Sequence, residues 1–196
     1  MPYFDFGENS CIIKRKYVSN SRRYTMRRKD REVQDKREIF DILRRCDTVR
    51  IGIQGEKYPY VVPVSFGMEI VDDQAVVYFH CAQKGMKLDM LKADPYVCVE
   101  GDIFVKIEKT EHGITTRYES IIGFGKCSFV DTEEEKIHAL KLLTERYGYP
   151  EYPLKRCSGM AHLMVGKIVL EEITGKKNLP GTMTPADKAA QKETAE

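Results

Sequence analysis

No uncharged apolar run in the 196-residue chain approaches the roughly 20 residues that a membrane-spanning helix needs. The opening segment, MPYFDFGENSCIIKRKYVS, lacks the continuous apolar stretch of a secretory leader, so the expectation is a cytoplasmic protein with no membrane partner. CxxC pairs are missing too. Cys11, Cys46, Cys81, Cys98, Cys127 and Cys157 stand far apart, which excludes zinc-finger ligand spacing and a small disulfide framework and predicts reduced thiols. The chain has no GxSxG elbow, no HExxH, no Walker loop and no GxGxxG turn between a strand and a helix. Any chemistry it performs is therefore expected to come from a borrowed cofactor rather than a side-chain triad, and no metal site is expected.

What is present describes one well-cored globular domain, with 42% hydrophobic residues against 32% charged. The net charge of +2 hides an asymmetry, because Lys14, Arg15, Lys16, Arg22, Arg23, Arg27, Arg28, Lys29 and Arg31 are opposed between residues 14 and 31 by Asp30 alone. Residues 1–32 show no period and read as a basic arm lying on the domain or on a partner subunit. Without an aromatic stacking motif, nucleic acid is not the expected partner. Residues 33–178 form the domain, and 179–196 a polar tail.

Within the domain, Asp35 and Glu38 form a capping-box pattern that opens a helix with Ile39, Ile42, Leu43 and Cys46 as its apolar stripe. The period then turns extended: VRIGIQ, YPYVVPVSFG and AVVYFHCA are separated by turns at 54–57 and around Asp72 and Asp73. Lys84 to Ala93 fits a short helix stopped near Pro95. YVCVEGDIFVKIEK and ITTRYESIIGFGKCSFV alternate as a long hairpin, Thr132 and Glu135 open another capped helix, and AHLMVGKIVLEEITGK is the sixth strand. Strands in succession without βαβ alternation predict a mainly β, α+β fold, an antiparallel barrel or sandwich with a few flanking helices. Gly123 and Gly125 inside a strand read as a bend or close approach rather than a phosphate loop.

Some places look specialised. Pro59 and Pro63 lie on one face of their strand and donate nothing to a ladder, so that strand is expected to have interrupted pairing or to lie partly at an edge, with backbone groups free for a ligand. His80 alternates with Val76 and Tyr78, an imidazole among apolar neighbours that fits either a satisfied core residue or a contact to an aromatic cofactor. In QKGMK, Gly85 turns the chain into a helix while Lys84 and Lys87 add charge, which fits either a phosphate site or a solvated helix start with ordinary surface lysines. Ser120 sets a small hydroxyl beside the glycine-bearing strand.

RRKDREV, RIGI, PYVVPVSFG, YFHCAQKGMKLDML, SIIGFGK and ITGKK occur in an order that resembles the flavin-binding split-barrel superfamily related to pyridoxamine 5'-phosphate oxidase, over residues 27–178. Within it the chain is most similar to Nim-type 5-nitroimidazole resistance proteins. The resemblance implies a six-stranded antiparallel split β-barrel, a homodimer, and FMN in a groove between subunits. It implies that Pro63, Val64, Ser65 and Phe66 line the isoalloxazine and ribityl chain, with His80, Cys81 and Ala82 on the next strand. Lys84, Gly85 and Lys87 would meet the phosphate, Ser120 would supply a polar contact, and Lys176 and Lys177 would reach in from the second subunit. The implied function is an FMN-dependent oxidoreductase, nitroimidazole reductase-like, passing electrons to a small planar acceptor, with His80 as catalytic positioner or proton donor. The alternative is a non-enzymatic flavin- or haem-binding module, a sensor or store. The chain has no tryptophan and ends in a polar tail, so pyridoxamine phosphate oxidation, which in that oxidase uses a tryptophan-bearing C-terminal segment, is disfavoured.

Overall fold

Residues 26–111, 113–154 and 162–181 are described by a computed structural model of the chain. The greater part of the basic arm and of the polar tail lies outside them, as do Cys11 and Cys157. Among the described residues no helix is long and apolar enough to cross a membrane.

The first long helix, α1 (Lys36–Arg45), starts where the capping pattern predicts: the Asp35 carboxylate accepts the Arg37 N–H at 2.9 Å. Ile39, Phe40, Ile42 and Leu43 form its buried face, and the Cys46 thiol donates to the Ile42 carbonyl at the other end. The expected return bond from Glu38 is not made, because that carboxylate pairs with Lys177 instead. The same happens at α3 (Glu133–Arg146). Thr132 accepts the Glu135 N–H at 3.2 Å, while the Glu135 side chain turns to Lys167 at 2.8 Å. A full opposite charge outcompetes a single backbone donor for a carboxylate.

Preceded by one 3₁₀ turn (Lys29–Arg31), eight strands form one antiparallel sheet: β1 (Glu32–Val33), β2 (Val49–Ile53), β3 (Tyr60–Val64), β4 (Gly67–Val71), β5 (Gln74–Ala82), β6 (Tyr96–Thr110), β7 (Gly113–Phe129) and β8 (Leu163–Asn178). The spatial order is β3-β2-β6-β7-β8-β5-β4, with β1 beside β8. The two outermost strands, β3 and β4, are consecutive in the chain and joined only by Ser65 and Phe66. The sheet therefore curls until its edges nearly meet, which makes the barrel and leaves its split between them. Six strands were expected. The additional ones are the two-residue β1, which exists only through its pairing with Lys176 and Gly175, and β4, split from β3 where the chain leaves β2 to pair with β5.

That break is fixed by Phe66, fully buried with the Arg146 guanidinium 4.0 Å over its ring. Arg146 also donates to the carbonyls of Arg44 and Cys46, tying the end of α3 to the end of α1. Ile51, Val99, Ile121, Ile168, Val77 and Phe79 fill the barrel interior. The glycine reading holds: β7 and β8 slip register between Phe124 and Gly125, and a Cβ on Gly125 would lie 2.0 Å from the Val169 carbonyl oxygen. β3 is an edge strand, as its prolines require.

Candidate cofactor site

β5 ends at Ala82, and the chain turns through Gln83 and Lys84 to Gly85, whose φ of +139° lies where an L side chain would be strained. α2 (Met86–Ala93) starts there, two residues later than the sequence predicts, since the turn consumes Lys84 and Gly85. The Gly85 carbonyl accepts the N–H groups of Leu88 and Asp89 at 2.9 and 3.1 Å. No side chain caps this helix start, so its first N–H groups and the positive end of its dipole are available to an anion. Around them is a cleft of about 260 Å³ lined by Tyr60, Cys81, Ala82, Lys84, Gly85 and Lys87, among others. Tyr60 is the residue that sequence reasoning missed. Its signal was the inward parity of the proline strand, opposite to that of Pro59 and Pro63.

Lys87 sits at the centre of the local electrostatics. Its ammonium lies 5.2 Å from the centre of the Phe79 ring. The His80 imidazole reaches solvent, yet partial desolvation and then the Lys87 charge lower its pKa from the ordinary value. Burial raises the Cys81 thiol against the opposing effect of Lys87, and raises Cys127 to about 12. These thiols are protonated at neutral pH, which removes them as nucleophiles.

The other sequence-predicted residues lie apart from this cleft. Pro63 is exposed on the edge strand and Ser65 just beyond it, Val64 is buried, and Phe66 points into the core, where its N–H meets the Tyr147 hydroxyl at 3.3 Å. Phe66 can thus offer a ligand main-chain atoms only. Ser120 pairs with Lys176 of β8, whereas His80 pairs with Val165 of the same strand. At about 3.3 Å per residue those positions are separated by roughly 36 Å. Lys176 lies over the Tyr118 ring at 5.7 Å, and Lys177 is engaged with Glu38. The cleft at the start of α2 is therefore lined without Pro63, Ser65 or Ser120.

The outer face of the sheet carries a second cleft of about 500 Å³, where Pro59, Tyr96, Cys98 and Phe124 stand around Gly52. Beside it exposed apolar side chains, Val61 at 59% accessible, Tyr96 at 49%, Phe104 at 62% and Ile122 at 44%, share the face with the ion-paired Arg50, Glu100 and Asp102. Among the described residues no group of His, Cys, Asp or Glu could hold a metal ion.

Comparison with known proteins agrees with this geometry. Residues 35–177 match the sequence profile of the pyridoxamine 5'-phosphate oxidase family. A crystal structure from Bacteroides thetaiotaomicron, of a protein provisionally assigned to 5-nitroimidazole antibiotic resistance, is 30% identical and superposes with a TM-score of 0.66, covering 74% of this chain and 85% of that one. The flavocytochrome Anf3 of Azotobacter vinelandii superposes equally well, with a TM-score of 0.66 at 16% identity, over 81% of this chain and 74% of its own. The FAD and heme binding protein of Mycobacterium smegmatis gives 0.64 at 17% identity, covering 82% and 80%. These last two share the fold. No curated protein matches the chain.

Proposed function

Since the chain belongs to the pyridoxamine 5'-phosphate oxidase family and has its split barrel, we propose that it is an FMN-dependent oxidoreductase, nitroimidazole reductase-like, acting as a homodimer on a small planar acceptor. The observation that carries this reading is the cleft at the start of α2, where Lys84, Lys87 and uncapped helix N–H groups converge around Gly85. Two ammonium groups and a helix dipole suit a phosphate dianion, and the absence of a Cβ at Gly85 lets that anion approach the backbone.

FMN, when bound, supplies reversible electron transfer that no side chain of this protein offers. The protein's own groups have narrower tasks. Lys84 and Lys87 hold the phosphate by charge. His80, neutral at physiological pH given its lowered pKa, presents one ring N–H as a donor and one bare ring nitrogen as an acceptor toward a substrate. Pro63 and Ser65 flank the route of the ring system on the edge strand.

The homodimer is part of this reading. Ser120 pairs on β8 with Lys176 and His80 with Val165, and in this reading the Ser120 beside the ligand comes from the second copy. The exposed apolar side chains of the outer face, Val61, Tyr96, Phe104 and Ile122, give that copy a surface to cover.

Purification without added cofactor, followed by visible absorption, tests the proposal directly. A yellow protein should bleach under an anaerobic reductant and recover its colour when a nitroimidazole is added. A yellow protein that biological donors such as NAD(P)H cannot reduce would favour a flavin store or sensor. Calorimetry showing no uptake of riboflavin monophosphate by the apoprotein would overturn the reading.

A further inference from the structure

β6 and β7 run past the rest of the sheet. β2 leaves β6 after Glu100, and β8 pairs with β7 no further than Tyr118, so residues 105–117 stand out as a two-stranded ribbon. Such a ribbon is marginal in water by itself. One of its faces is closed by polar bonds: Glu108 pairs with Lys106 and with Arg117, each at 2.7 Å, and the Asn178 amide donates to the Thr115 hydroxyl at 3.1 Å. The other face is largely apolar. Phe104, Ile107 and Lys109 stand opposite Tyr118, Thr116 and Ile114, which alternate along one side of β7. Ile107 is 65% exposed and Ile114 79%. The same face of the two strands carries a complement at its other end. The cleft of about 500 Å³ around Gly52 is walled by Pro59, Tyr96 and Phe124, and its carboxylates are Asp94, Glu171 and Glu172, with Lys126 opposite Tyr96. None of these carboxylates has an ion pair among the described residues, and neither has Lys109. An apolar knob with a cation at one end and an apolar hole with excess acid at the other are self-complementary about a two-fold axis.

Taking the homodimer proposed above as given, we propose that this ribbon is its docking arm, with the Phe104 and Ile107 face of each copy seated in the Gly52 cleft of the other. The axis crosses the strands between the row of Glu100 and Ile122 and the row of Asp102 and Ser120. Phe104 and Tyr118 of one copy then lie over Cys98 and Phe124 of the other, with Ile107 against Tyr96 and Lys109 toward Asp94. Gly52 has no side chain to fill the floor of the cleft, which leaves room for the incoming ring. Arg50, paired with Glu100 and Asp102 of its own chain, offsets the carboxylates in the rows beside the axis. Ser120 of the second copy comes to the edge of a cleft that includes Pro59, the neighbour of Tyr60 in the cleft at the start of α2. The arm thus carries the second copy's polar group toward the cofactor site and covers the apolar face of an otherwise free ribbon.

Coupling an Ile107→Cys variant of the full chain to its native Cys98 with a short bismaleimide tests this. Within one chain the strand partners of the two positions, Thr116 and Phe124, are about 26 Å apart along β7, so the bridge forms only between chains. Peptide mapping should find the bridge in I107C and lose it in I107C/C98S. The variant F104E/I107E changes two residues that are exposed in the single chain. It should keep its far-ultraviolet spectrum while its dimer dissociation constant, read by sedimentation, rises at least a hundredfold. A dimer that survives F104E/I107E and gives no bridge in I107C would overturn the docking and leave the homodimer standing. A monomeric wild type would overturn both. A bridged dimer that takes up no riboflavin monophosphate would support the docking and overturn the flavin reading alone.

Discussion

The Lys87 ammonium lies 5.2 Å above the centre of the Phe79 ring, at the junction between the last turn of the barrel and the first turn of α2. The buried ring fixes where that charge sits before any ligand arrives. A charge-assisted contact is worth about 1.5–3 kcal/mol. Lys87→Ala should therefore weaken riboflavin monophosphate binding by an order of magnitude or more, measured by calorimetry or fluorescence quenching. The difference from the wild type should shrink as salt rises and screens the lysine. Equal affinities at low salt would remove Lys87 from the phosphate site.

His80 should titrate below the ordinary histidine range, because burial and Lys87 both disfavour its charged form. An NMR titration of its ring protons checks this, and Lys87→Met should move the midpoint upward. A folded pKa below the unfolded one means that the unfolded chain takes up the proton first. The contribution of His80 to stability is then complete above about pH 6.5 and is lost as pH falls through the lowered folded value. His80→Ala should retain cofactor and slow turnover at least tenfold; unchanged turnover would remove the imidazole from the chemistry.

Tyr78 donates to Glu69 at 2.8 Å, and the second oxygen of that carboxylate meets His138 of α3 at 3.1 Å. Tyr78 is 2% exposed, and burial followed by the Glu69 contact raises its pKa. Tyr78→Phe should cost about 1–2 kcal/mol, read as a fall of about 2–8 °C in Tm, with cofactor affinity unaltered. A change in affinity without a change in Tm would contradict the structural role given to this triplet.

The amphipathic stripe of α1, the edge position of the proline strand and the long β6–β7 hairpin are all legible in the sequence, because each rests on local periodicity or on what proline cannot donate. β4 is not legible. GMEIV runs on from the proline strand with the same alternation, Met68 and Ile70 flanking Glu69, and it becomes a separate strand only by lying against β5. The uncapped helix start and its lysines were readable because QKGMK is contiguous. The placement of Ser120 was not, since it depends on how β7 and β8 are registered over their full length. Phe66 keeps the inward parity of Tyr60, Val62 and Val64, so its burial follows from the alternation of the proline strand.

Two glycines should respond to alanine to very different degrees. A Cβ at Gly125 meets the Val169 carbonyl oxygen at 2.0 Å, whereas at Gly52 the nearest atoms are 3.6 Å away on Cys98. Gly125→Ala should destabilise by about 1–3 kcal/mol or more, and Gly52→Ala by less than about 0.5 kcal/mol, in denaturant unfolding. Similar midpoints for the two variants would contradict the close approach at the bulge.

Thiol labelling offers a solution check on burial. Cys46 and Cys127, with pKa values raised to about 11 and 12, should resist thiol reagents at pH 7.5 until the protein unfolds. Cys98 and Cys81, half-buried, should react first among the four described cysteines, as peptide mapping after timed quenching would show.

β8, read from Leu163 to Asn178, is the partner of β7, β5 and β1 at once. A nascent chain still holding that strand inside the ribosome has a finished hairpin in β6 and β7 and nothing to join it to β5. Closure thus waits until β8 has emerged through Asn178, and the most sequence-distant strand pairing among the described residues, Glu32 with Lys176, belongs to the slow, topology-limited part of folding.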